Sequence, residues 1–262
     1  MLRALYTAAS GMEAQQLNID TIAHNLANIN TSGFKQRKVQ FQDLLYQSER
    51  NAGTSSTAST EYPVGLQVGL GTKPVATQMI FTQGDYAATK SPLDMVIEGQ
   101  GFFQIVQSNG QIAYTRSGNF HLNREGSLVT PDGDLLDPQI TIPSDNIGIT
   151  IGSDGTVSVI QAGQTQPQKV GQIEIAMFQN PAGLQSVGKN LFLPTQASGD
   201  AITGTPGEEG LGTLLSGYVE QSNVSVVEEM VNMIVSQRAY EANSKVIRTA
   251  DEMFSQANNI VR

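Results

Sequence analysis

Proline is confined to the middle of this chain and glycine is absent from its C-terminal part, and this distribution limits the folds open to it. All ten prolines lie between Pro63 and Pro206, and no glycine follows Gly217. Proline interrupts helical hydrogen bonding and glycine lowers helix stability, so both ends of the chain are free to form long helices. The middle is rich in both residues and must fold differently. We therefore expect helical ends around a non-helical centre.

Residues 2–30 have the periodicity of a helix that packs along one side. Apolar side chains recur there at alternating three- and four-residue steps, interrupted at Gln15, which is the heptad spacing of a helix with a partner. The positions are Leu5, Ala8, Met12, Ile19, Ile22, Leu26 and Ile29. We predict one helix over this range.

Residues 222–262 repeat the pattern more regularly, because one line of apolar residues keeps a seven-residue interval. Its members are Val226, Met233, Tyr240, Ile247, Phe254 and Val261. At about 1.5 Å per residue, the two helices would measure roughly 40 and 60 Å and could lie side by side. The small core of a single subunit cannot cover both apolar seams, so we expect further helical partners.

Between the helices, the sequence consists of short β-prone runs separated by turns. Runs such as residues 102–106 and 172–178 alternate with Gly-bearing turns, which predicts an antiparallel β domain over 95–200. Taken alone, the low-complexity segment 51–60 is typical of a flexible linker. The expected fold is α+β, in which long terminal helices form a coiled-coil-like pair and an antiparallel β domain is inserted between them. The expected divisions are an N-terminal helical assembly segment (1–35), an extended connection (36–94), the β domain (95–200), a Gly-rich return linker (201–221) and a C-terminal helical assembly segment (222–262).

Nothing in the sequence indicates an enzyme, a cofactor or a metal site. The histidines, His24 and His121, lack the companion residues that a nucleophile and its base require. The acidic turn at 132–134, with Asp137, lacks the alternating ligands and terminal Glu of a calcium loop, so a hairpin turn is the better interpretation. The net charge of −9 is unsuited to nucleic acid, and no apolar run is long enough for a membrane span or a signal peptide.

Amide side chains take the place of charges along the predicted N-terminal helix. They occur at Gln15, Gln16, Asn18, Asn25, Asn28 and Asn30. In a homopolymer each surface meets copies of itself, so a charge risks repulsion, whereas an amide can both donate and accept a hydrogen bond. The pattern favours self-assembly, and an ordinary coiled coil of amphipathic helices remains the alternative.

Four segments of the chain resemble the bacterial flagellar rod and hook family. Residues 25–35 (NLANINTSGFK) are similar to the N-terminal signature of that family. The others follow in the family's order, at 94–103 (DMVIEGQGFF), 114–120 (YTRSGNF) and 217–250. The resemblance covers most of the chain outside its low-complexity segments. The length, the LYTAASGM start and the extended segment at 46–68 resemble the distal part of the rod most.

The resemblance implies a structural subunit that assembles into a hollow helical tube, with paired terminal helices lining its inner wall. Such a tube transmits torque from the motor to the hook and encloses the export channel. The implied partners are further copies of the chain, proximal rod proteins and the hook protein, the surrounding P and L rings of a Gram-negative cell, the export apparatus and a rod-cap factor. The implied location is the periplasm, reached by flagellar type III export without a cleaved signal peptide. A proximal rod or hook subunit, or a surface adhesin, is the alternative.

The expected assembly interface combines both seams with the signature segment. It comprises Leu5, Met12, Ile19, Ile22, Leu26, Asn28, Thr31, Gly33, Phe34, Val226, Met233, Tyr240, Ile247, Phe254 and Val261. Gly33 should end the first helix in a left-handed conformation and let Phe34 fold back as an anchor. Asn28 and Thr31 either cap helix-end carbonyls or bond to a neighbouring subunit.

The extended segment at 46–68 is the rod-specific stretch of the resemblance. Its marker residues are Tyr46, Asn51, Thr60 and Tyr62. The resemblance implies that this stretch bridges neighbouring subunits and keeps the rod straight.

Overall fold

The chain folds into two compact units, which we call the helical unit and the β unit. The computed structural model describes residues 2–57, 60–161, 166–208 and 210–260. The helical unit comprises Met1–Ala27, Arg37–Gln78 and Ser225–Arg262, and the β unit comprises Asn28–Gln36 and Met79–Val224. The predicted α+β class is confirmed, with a helix near each end of the chain and antiparallel sheets between them.

Each end of the chain forms one long helix, α1 over Leu2–Ala27 and α2 over Val226–Ile260. α1 ends earlier than predicted because the chain turns repeatedly through residues 28–33. α2 begins later than predicted, directly after Ser225. Ser225 and Glu228 have the spacing of a capping box, and an acidic first turn suits the positive end of the helix dipole.

Residues 37–79 form a series of paired strands that we call the ladder. Its strands are β1 (Arg37–Asp43), β2 (Tyr46–Arg50), β3 (Ser55–Thr57), β4 (Thr60–Glu61), β5 (Leu66–Gly69) and β6 (Thr72–Met79). β1 pairs with β6, β2 with β5, and β3 with β4. The linker prediction for 51–60 is therefore wrong where the structure describes that segment, and residues 58 and 59 lie outside it. The described part of the segment pairs with itself, as β3 with β4, and the Gly53 N–H donates to the Tyr62 carbonyl at 2.9 Å. Composition alone does not report such pairing.

The β unit consists of short strands joined by tight turns. They are β7 (Tyr86–Ala88), β8 (Met95–Glu98), β9 (Phe102–Val106), β10 (Ile112–Thr115), β11 (His121–Leu122), β12 (Leu128–Val129), β13 (Leu135–Asp137), β14 (Asn146–Ile151), β15 (Thr156–Gln161), β16 (Gln168–Gln172), β17 (Ile175–Met177), β18 (Gln185–Gly188), β19 (Leu191–Leu193), β20 (Ile202–Gly204), β21 (Thr213–Ser216) and β22 (Tyr218–Glu220). A single 3₁₀ turn spans Pro181–Gly183. The strands extend beyond the expected limits of 95–200, and β20, β21 and β22 lie in the segment expected to be a linker. Strands this short, set between glycines, are too brief to show periodicity.

The largest sheet is antiparallel and centred on β9 and β10. Its order is β11-β12-β13-β9-β10-β19-β18, and β17 pairs with both β9 and β20. β14, β15 and β16 form a second antiparallel sheet. β21 pairs with β8 and β22 with β7, so the chain enters and leaves the β unit along adjoining strands.

Two hydrophobic clusters lie on opposite faces of β9. Phe103 and Ile105 belong to the larger cluster, and Phe102 belongs to the smaller one. The ring of Phe102 meets those of Phe178 and Phe192 edge to face, with centroids 5.8 and 6.0 Å away. Successive side chains of a strand point to opposite faces, so the two adjacent phenylalanines anchor both clusters.

Replacement of Gly118 by alanine should destabilise the β unit strongly. A Cβ at this position would overlap the carbonyl oxygen of Met95, and the Met95 N–H donates to the Gly118 carbonyl at 2.9 Å, which holds the two backbones together. We expect a loss of about 3 kcal/mol or more in the free energy of unfolding, measured with urea. Gly148→Ala is the matched control, because a Cβ there meets nothing within 4 Å. Equal losses in both variants would contradict the overlap.

Candidate assembly interface

α1 and α2 pack against each other as an antiparallel pair inside the helical unit. Asn18 Nδ2 donates to Ser236 Oγ at 2.8 Å, and Asn25 Nδ2 donates to Glu229 Oε2 at 3.4 Å. The step of seven residues from Asn18 to Asn25 is matched by a step of seven in the opposite direction along α2. These bonds therefore define the register of the pair.

The contact line of this pair consists of small and polar side chains. On α2, Glu229, Ser236 and Ala250 are buried at multiples of seven residues. Asn243 occupies the remaining position and faces Gly11, where an added Cβ would lie 2.8 Å from its Nδ2. Polar groups buried at defined positions fix the register, because a shift would leave them unpaired.

The predicted apolar seams lie beside this contact line. The half-buried seam positions are Leu5, Met12, Ile19, Leu26, Met233, Ile247 and Phe254. Ile22 is buried, Val226 and Tyr240 are exposed, and Val261 lies outside the described residues. The polar contact line was not predicted, although its Gly, Asn, Ser and Ala residues keep the same heptad spacing and could have located it.

Asn25 also fixes the start of the ladder to α1. Its Nδ2 donates to the carbonyl oxygen of Arg37 at 2.8 Å, and its Oδ1 accepts from the N–H of Arg37 at 2.9 Å. The side chain is 1% exposed, so both bonds are shielded from water. An asparagine amide offers a donor and an acceptor side by side, which matches one backbone residue. This explains why an amide lies at a buried helix position.

α2 carries an exposed apolar face near its N-terminal end, which we call the α2 stripe. It comprises Val227, Met230, Val231, Ile234 and Val235, all more than half exposed. Steps of three and four residues place these side chains on one face of the helix. A contiguous exposed apolar surface marks an interaction site. The α2 stripe is therefore a strong candidate for contact with another molecule.

The signature segment after α1 folds as consecutive turns of the β unit. Thr31 Oγ1 donates to Asn28 Oδ1 at 3.2 Å, and the Phe34 N–H donates to the Thr31 carbonyl at 3.2 Å. Gly33 has a φ of 71°, and its N–H donates to the carbonyl of Glu220 at 2.9 Å. The left-handed glycine thus lies in the turns that follow α1, not at the helix end. Asn28 and Thr31 bond to each other.

Glu220 holds two cations in the interior of the β unit. Its Oε1 accepts from Lys35 Nζ and its Oε2 from Arg116 Nε, both at 2.6 Å. The side chain of Glu220 is 0% exposed, that of Lys35 2% and that of Arg116 6%. We call these three residues the Glu220 cluster. Because Lys35 follows α1 and Glu220 precedes α2 in sequence, the cluster joins the two segments that lead to the helices.

Arg116 uses the rest of its guanidinium to fix the turn between β8 and β9. Its Nη1 donates to the Gly101 carbonyl at 2.6 Å, and its Nη2 donates to the carbonyls of Ile97 and Gly99, both at 2.7 Å. Gly99 and Gly101 have φ values of 105° and 147°, which allow the carbonyls to turn toward one point. The planar fork of arginine suits such convergent acceptors better than lysine would.

Burial and pairing act in opposite directions on the Glu220 cluster. Burial raises the pKa of Glu220, but the charges of Arg116 and Lys35 outweigh it and leave that pKa below the ordinary value of 4.5. Burial lowers the pKa of Lys35 despite the attraction of Glu220. One carboxylate thus serves two buried cations, and its ionised form is essential to the arrangement.

The rod-specific stretch is built into the ladder. Tyr46 begins β2 and is 57% exposed, and Asn51 lies directly after that strand. The Arg50 guanidinium lies 3.8 Å above the ring centroid of Tyr62, which is a cation–π contact. Thr60 begins β4. The structure therefore places the marker residues on paired strands and their connections.

The histidines and the acidic turn occupy structural positions. His24 lies in α1, and His121 lies in β11. The turn at 132–134 joins β12 to β13 with Gly133 at a φ of 91°, as a hairpin turn requires. Within the part of the chain that the structure describes, no three His, Asp or Glu residues are grouped to hold a metal ion, and neither long helix is apolar enough to cross a membrane.

Family models match three parts of the chain. Residues 5–35 match the model described as flagella basal body rod protein, and residues 215–260 match the one for the C-terminal part of flagellar basal body rod FlgEFG proteins. Residues 96–159 match the D1 domain of flagellar hook protein FlgE/F/G. These matches include most of both helices and the central strands. The class is that of the structural subunits of the flagellar rod and hook.

Relatives that match from end to end identify the family within this class. The chain is 52% identical over 264 residues to flagellar basal-body rod protein FlgG of Borreliella burgdorferi, which covers 100% of both chains. It is 50% identical to FlgG of Caulobacter vibrioides, covering 99% of both chains. FlgG of Buchnera aphidicola from Schizaphis graminum is 49% identical, covering 99% of this chain and 100% of its own. The chain belongs to the FlgG family and is a structural subunit of the flagellar basal-body rod.

Replacement of Glu220 by glutamine should destabilise the β unit. The change leaves Lys35 and Arg116 as buried cations without a counter-charge, and breaking a buried ion pair in this way costs about 3–5 kcal/mol. Urea denaturation measures the loss. Glu241→Gln is the matched control, because its ion pair with Arg238 is exposed and contributes less than about 1 kcal/mol. Similar losses in both variants would contradict the role of the cluster.

Acid should remove the contribution of Glu220 to stability. The pKa of Glu220 lies below 4.5 in the folded chain, so the unfolded chain takes up the proton first as the pH falls. The stabilisation is therefore present above 4.5 and is lost as the pH falls through the folded pKa. We expect the stability difference between the unmodified chain and Glu220→Gln to shrink from about pH 6 to about pH 3 in urea titrations. A difference independent of pH would contradict this.

Proposed function

We propose that copies of this chain assemble into the hollow helical tube of the distal rod, which transmits torque from the motor to the hook and encloses the export channel. The observation that carries the proposal is the α2 stripe, on a chain related over its full length to rod proteins. Exposed apolar surface is unfavourable in water, and covering it with neighbouring copies supplies a driving force for assembly.

We further propose that α1 and α2 act in the rod as a coiled-coil-like pair. The heptad register of the Asn18–Ser236 and Asn25–Glu229 bonds supports this pairing. Most of the predicted seam residues that the structure describes flank the contact line and are half-buried, as with Met12 and Ile19. In the assembled tube, neighbouring copies complete their burial. The polar line thus serves contacts within a subunit, and the apolar seams serve contacts between subunits.

Torque transmission requires stiff connections between the segments of each subunit. The Glu220 cluster provides one inside the β unit, because Lys35 lies on the segment that follows α1 and Glu220 on the segment that precedes α2. Its charges are buried and bonded at 2.6 Å, which leaves them little freedom to rearrange. A force transmitted to the β unit through either segment therefore acts on the same carboxylate.

The proposal also sets partners and location. Proximal rod proteins and the hook protein adjoin the ends of the tube, and in a Gram-negative cell the P and L rings surround it. The flagellar type III export apparatus delivers subunits to the periplasm, and a rod-cap factor acts during growth. The names of the relatives favour the rod over the alternatives of a hook subunit and an adhesin.

Shortening the ladder should give a curved or flexible tube. The Leu44 N–H donates to the Gly71 carbonyl at 2.8 Å, so a two-residue Asn-Gly turn can replace residues 45–70 and close the chain there. Electron micrographs of the purified full chain, assembled at high concentration, should show straight tubes. The shortened variant should lose contacts between copies and with them the straightness.

The full chain assembled in parallel is the control for this experiment. Straight tubes from the shortened variant would refute the bridging role of the ladder and leave the rod assignment in place. If the full chain forms no tubes at all, the proposal of self-assembly is wrong.

A further inference from the structure

The charges of the Glu220 cluster do not balance. Lys35 and Arg116 are both cations, and Glu220 is the single carboxylate of the cluster, so the cluster carries one excess positive charge. Burial lowers the pKa of Lys35 despite the attraction of Glu220, which shows that the pairing does not fully compensate the buried charge. An uncompensated buried cation is costly, and an anion bound beside it would relieve that cost.

Each of the two cations keeps one N–H group for a further acceptor. Lys35 Nζ has three N–H groups and donates to Glu220 and to the Thr82 carbonyl, at 2.6 and 2.8 Å. Arg116 has five N–H groups and donates one to Glu220 and three to backbone carbonyls. Among the described residues, no acceptor takes the third N–H of Lys35 or the second Nη1 N–H of Arg116.

Both cations line one cavity of ≈ 100 Å³, which we call the β-unit cavity. Its apolar wall consists of Phe81, Phe102, Met177, Phe178 and Pro181. The rings of Phe81 and Phe102 meet edge to face with their centroids 5.5 Å apart, and Phe102 and Phe178 are buried. The wall is therefore packed in place before any ligand arrives, as in most small-molecule sites.

The β-unit cavity reaches the surface beside the turn that joins β8 to β9. Gly99 and Gln100 line the cavity and are exposed. Glu98 precedes this turn but is not part of the lining, and its Oε2 accepts from Thr213 Oγ1 at 3.5 Å. The lining thus contains two cations and no acidic residue, which favours a negatively charged ligand.

We propose that the β-unit cavity binds a carboxylate carried on a short apolar stem. The carboxylate accepts the remaining N–H groups of Lys35 and Arg116 and balances their excess charge, and the stem packs on the apolar wall. An apolar cavity of about 150 Å³ admits a benzene ring, so the smaller cavity here suits a stem of about three carbons. This site goes beyond the proposed function, because binding does not require assembly.

Two sources offer this chemistry. One is a free short-chain carboxylate, and the other is an acidic side chain of another copy of the chain. Both present the same group to Lys35 and Arg116, so one probe, sodium butyrate, tests the site for either source.

Titration of the dispersed full chain with sodium butyrate tests the site, with binding followed by the NMR signals of the backbone amides. The signals of Gly99, Gln100 and Gly101 should shift and saturate. Butyrate should bind ~10-fold more tightly than acetate, because its two additional methylene groups are buried. Butyramide has the same stem without the charge and is the matched control, which should leave these signals in place.

Three results of this titration would overturn the proposal. The first is the absence of saturable shifts with butyrate. The second is binding of butyramide as tight as that of butyrate, which would show that charge has no part in recognition. The third is binding of sodium chloride as tight as that of butyrate, which would show that the apolar wall has no part in it.

A change of charge at the mouth of the cavity tests its position without disturbing the Glu220 cluster. Gln100→Glu places a carboxylate beside the two cations and should weaken butyrate binding by ~10-fold or more, through repulsion and competition. Gln100 is exposed, so the fold should tolerate the change. Gln111→Glu is the matched control, because Gln111 is also exposed in the β unit but does not line the cavity. Equal weakening in both variants would overturn the assigned position.

Removal of the excess charge provides an independent test. Lys35→Met leaves Arg116 and Glu220 as a balanced ion pair, and Glu220 Oε1 still accepts from the Gly84 N–H at 3.0 Å. This variant should bind butyrate ~10-fold more weakly or not at all, with its fold verified by circular dichroism. A folded Lys35→Met chain that binds butyrate as tightly as the unmodified chain would overturn the proposal. If Lys35→Met does not fold, the Gln100→Glu comparison decides.

The effect of butyrate on assembly distinguishes the two sources. If the natural ligand is a free carboxylate, saturating butyrate should leave the concentration needed for assembly within ~2-fold of its value in butyramide. If it is an acidic side chain of another copy, butyrate competes with that side chain and should raise this concentration by ~10-fold. Binding is measured on the dispersed chain, so a failure of self-assembly would refute the proposed function and leave the test of the cavity intact.

Discussion

The β unit depends on one buried carboxylate. Glu220 accepts from Lys35 and Arg116 through separate oxygens, and its backbone carbonyl accepts from Gly33. Three parts of the β unit therefore meet at a single charge. They are the segment after α1, the turn between β8 and β9 that Arg116 fixes, and the segment before α2. An isolated buried cation is costly, so none of these segments can move without leaving a charge unpaired.

α2 separates two kinds of contact on its surface. Toward α1 it presents Glu229, Ser236 and Asn243, whose bonds and close fit specify one register. Away from α1 it presents the α2 stripe, which is apolar and non-directional. Directional polar contacts suit a pairing that must form one way in every subunit, whereas apolar surface supplies the driving force for association. The division explains how one helix can serve a fixed internal partner and an external one.

The sequence predicted the elements whose signals are local. Heptad spacing and the absence of proline located both helices, and Gly-bearing turns located the β unit. The α1–α2 contact line was not predicted, because residues such as Asn18 and Ser236 carry no hydrophobic signal, although the contact-line residues are regularly spaced along each helix. The ladder was not predicted, because the strand pairs β1–β6 and β2–β5 that hold it together join residues distant in sequence. The Glu220 cluster was not predicted, because Lys35, Arg116 and Glu220 are far apart in sequence and each alone resembles a surface charge.

The placement of polar and apolar contacts also bears on the order of events in assembly. The hydrogen bonds of the α1–α2 contact line are satisfied inside one chain, so the register of the pair does not depend on a neighbour. Under the proposed self-assembly, the net charge of −9 keeps free subunits apart at long range, while the apolar α2 stripe allows contact at short range. Had the apolar face been the internal one, the exposed polar line would gain little from association, because water satisfies it equally well. Under the proposed self-assembly, this arrangement favours a subunit in which the register of α1 and α2 forms first and polymerisation follows.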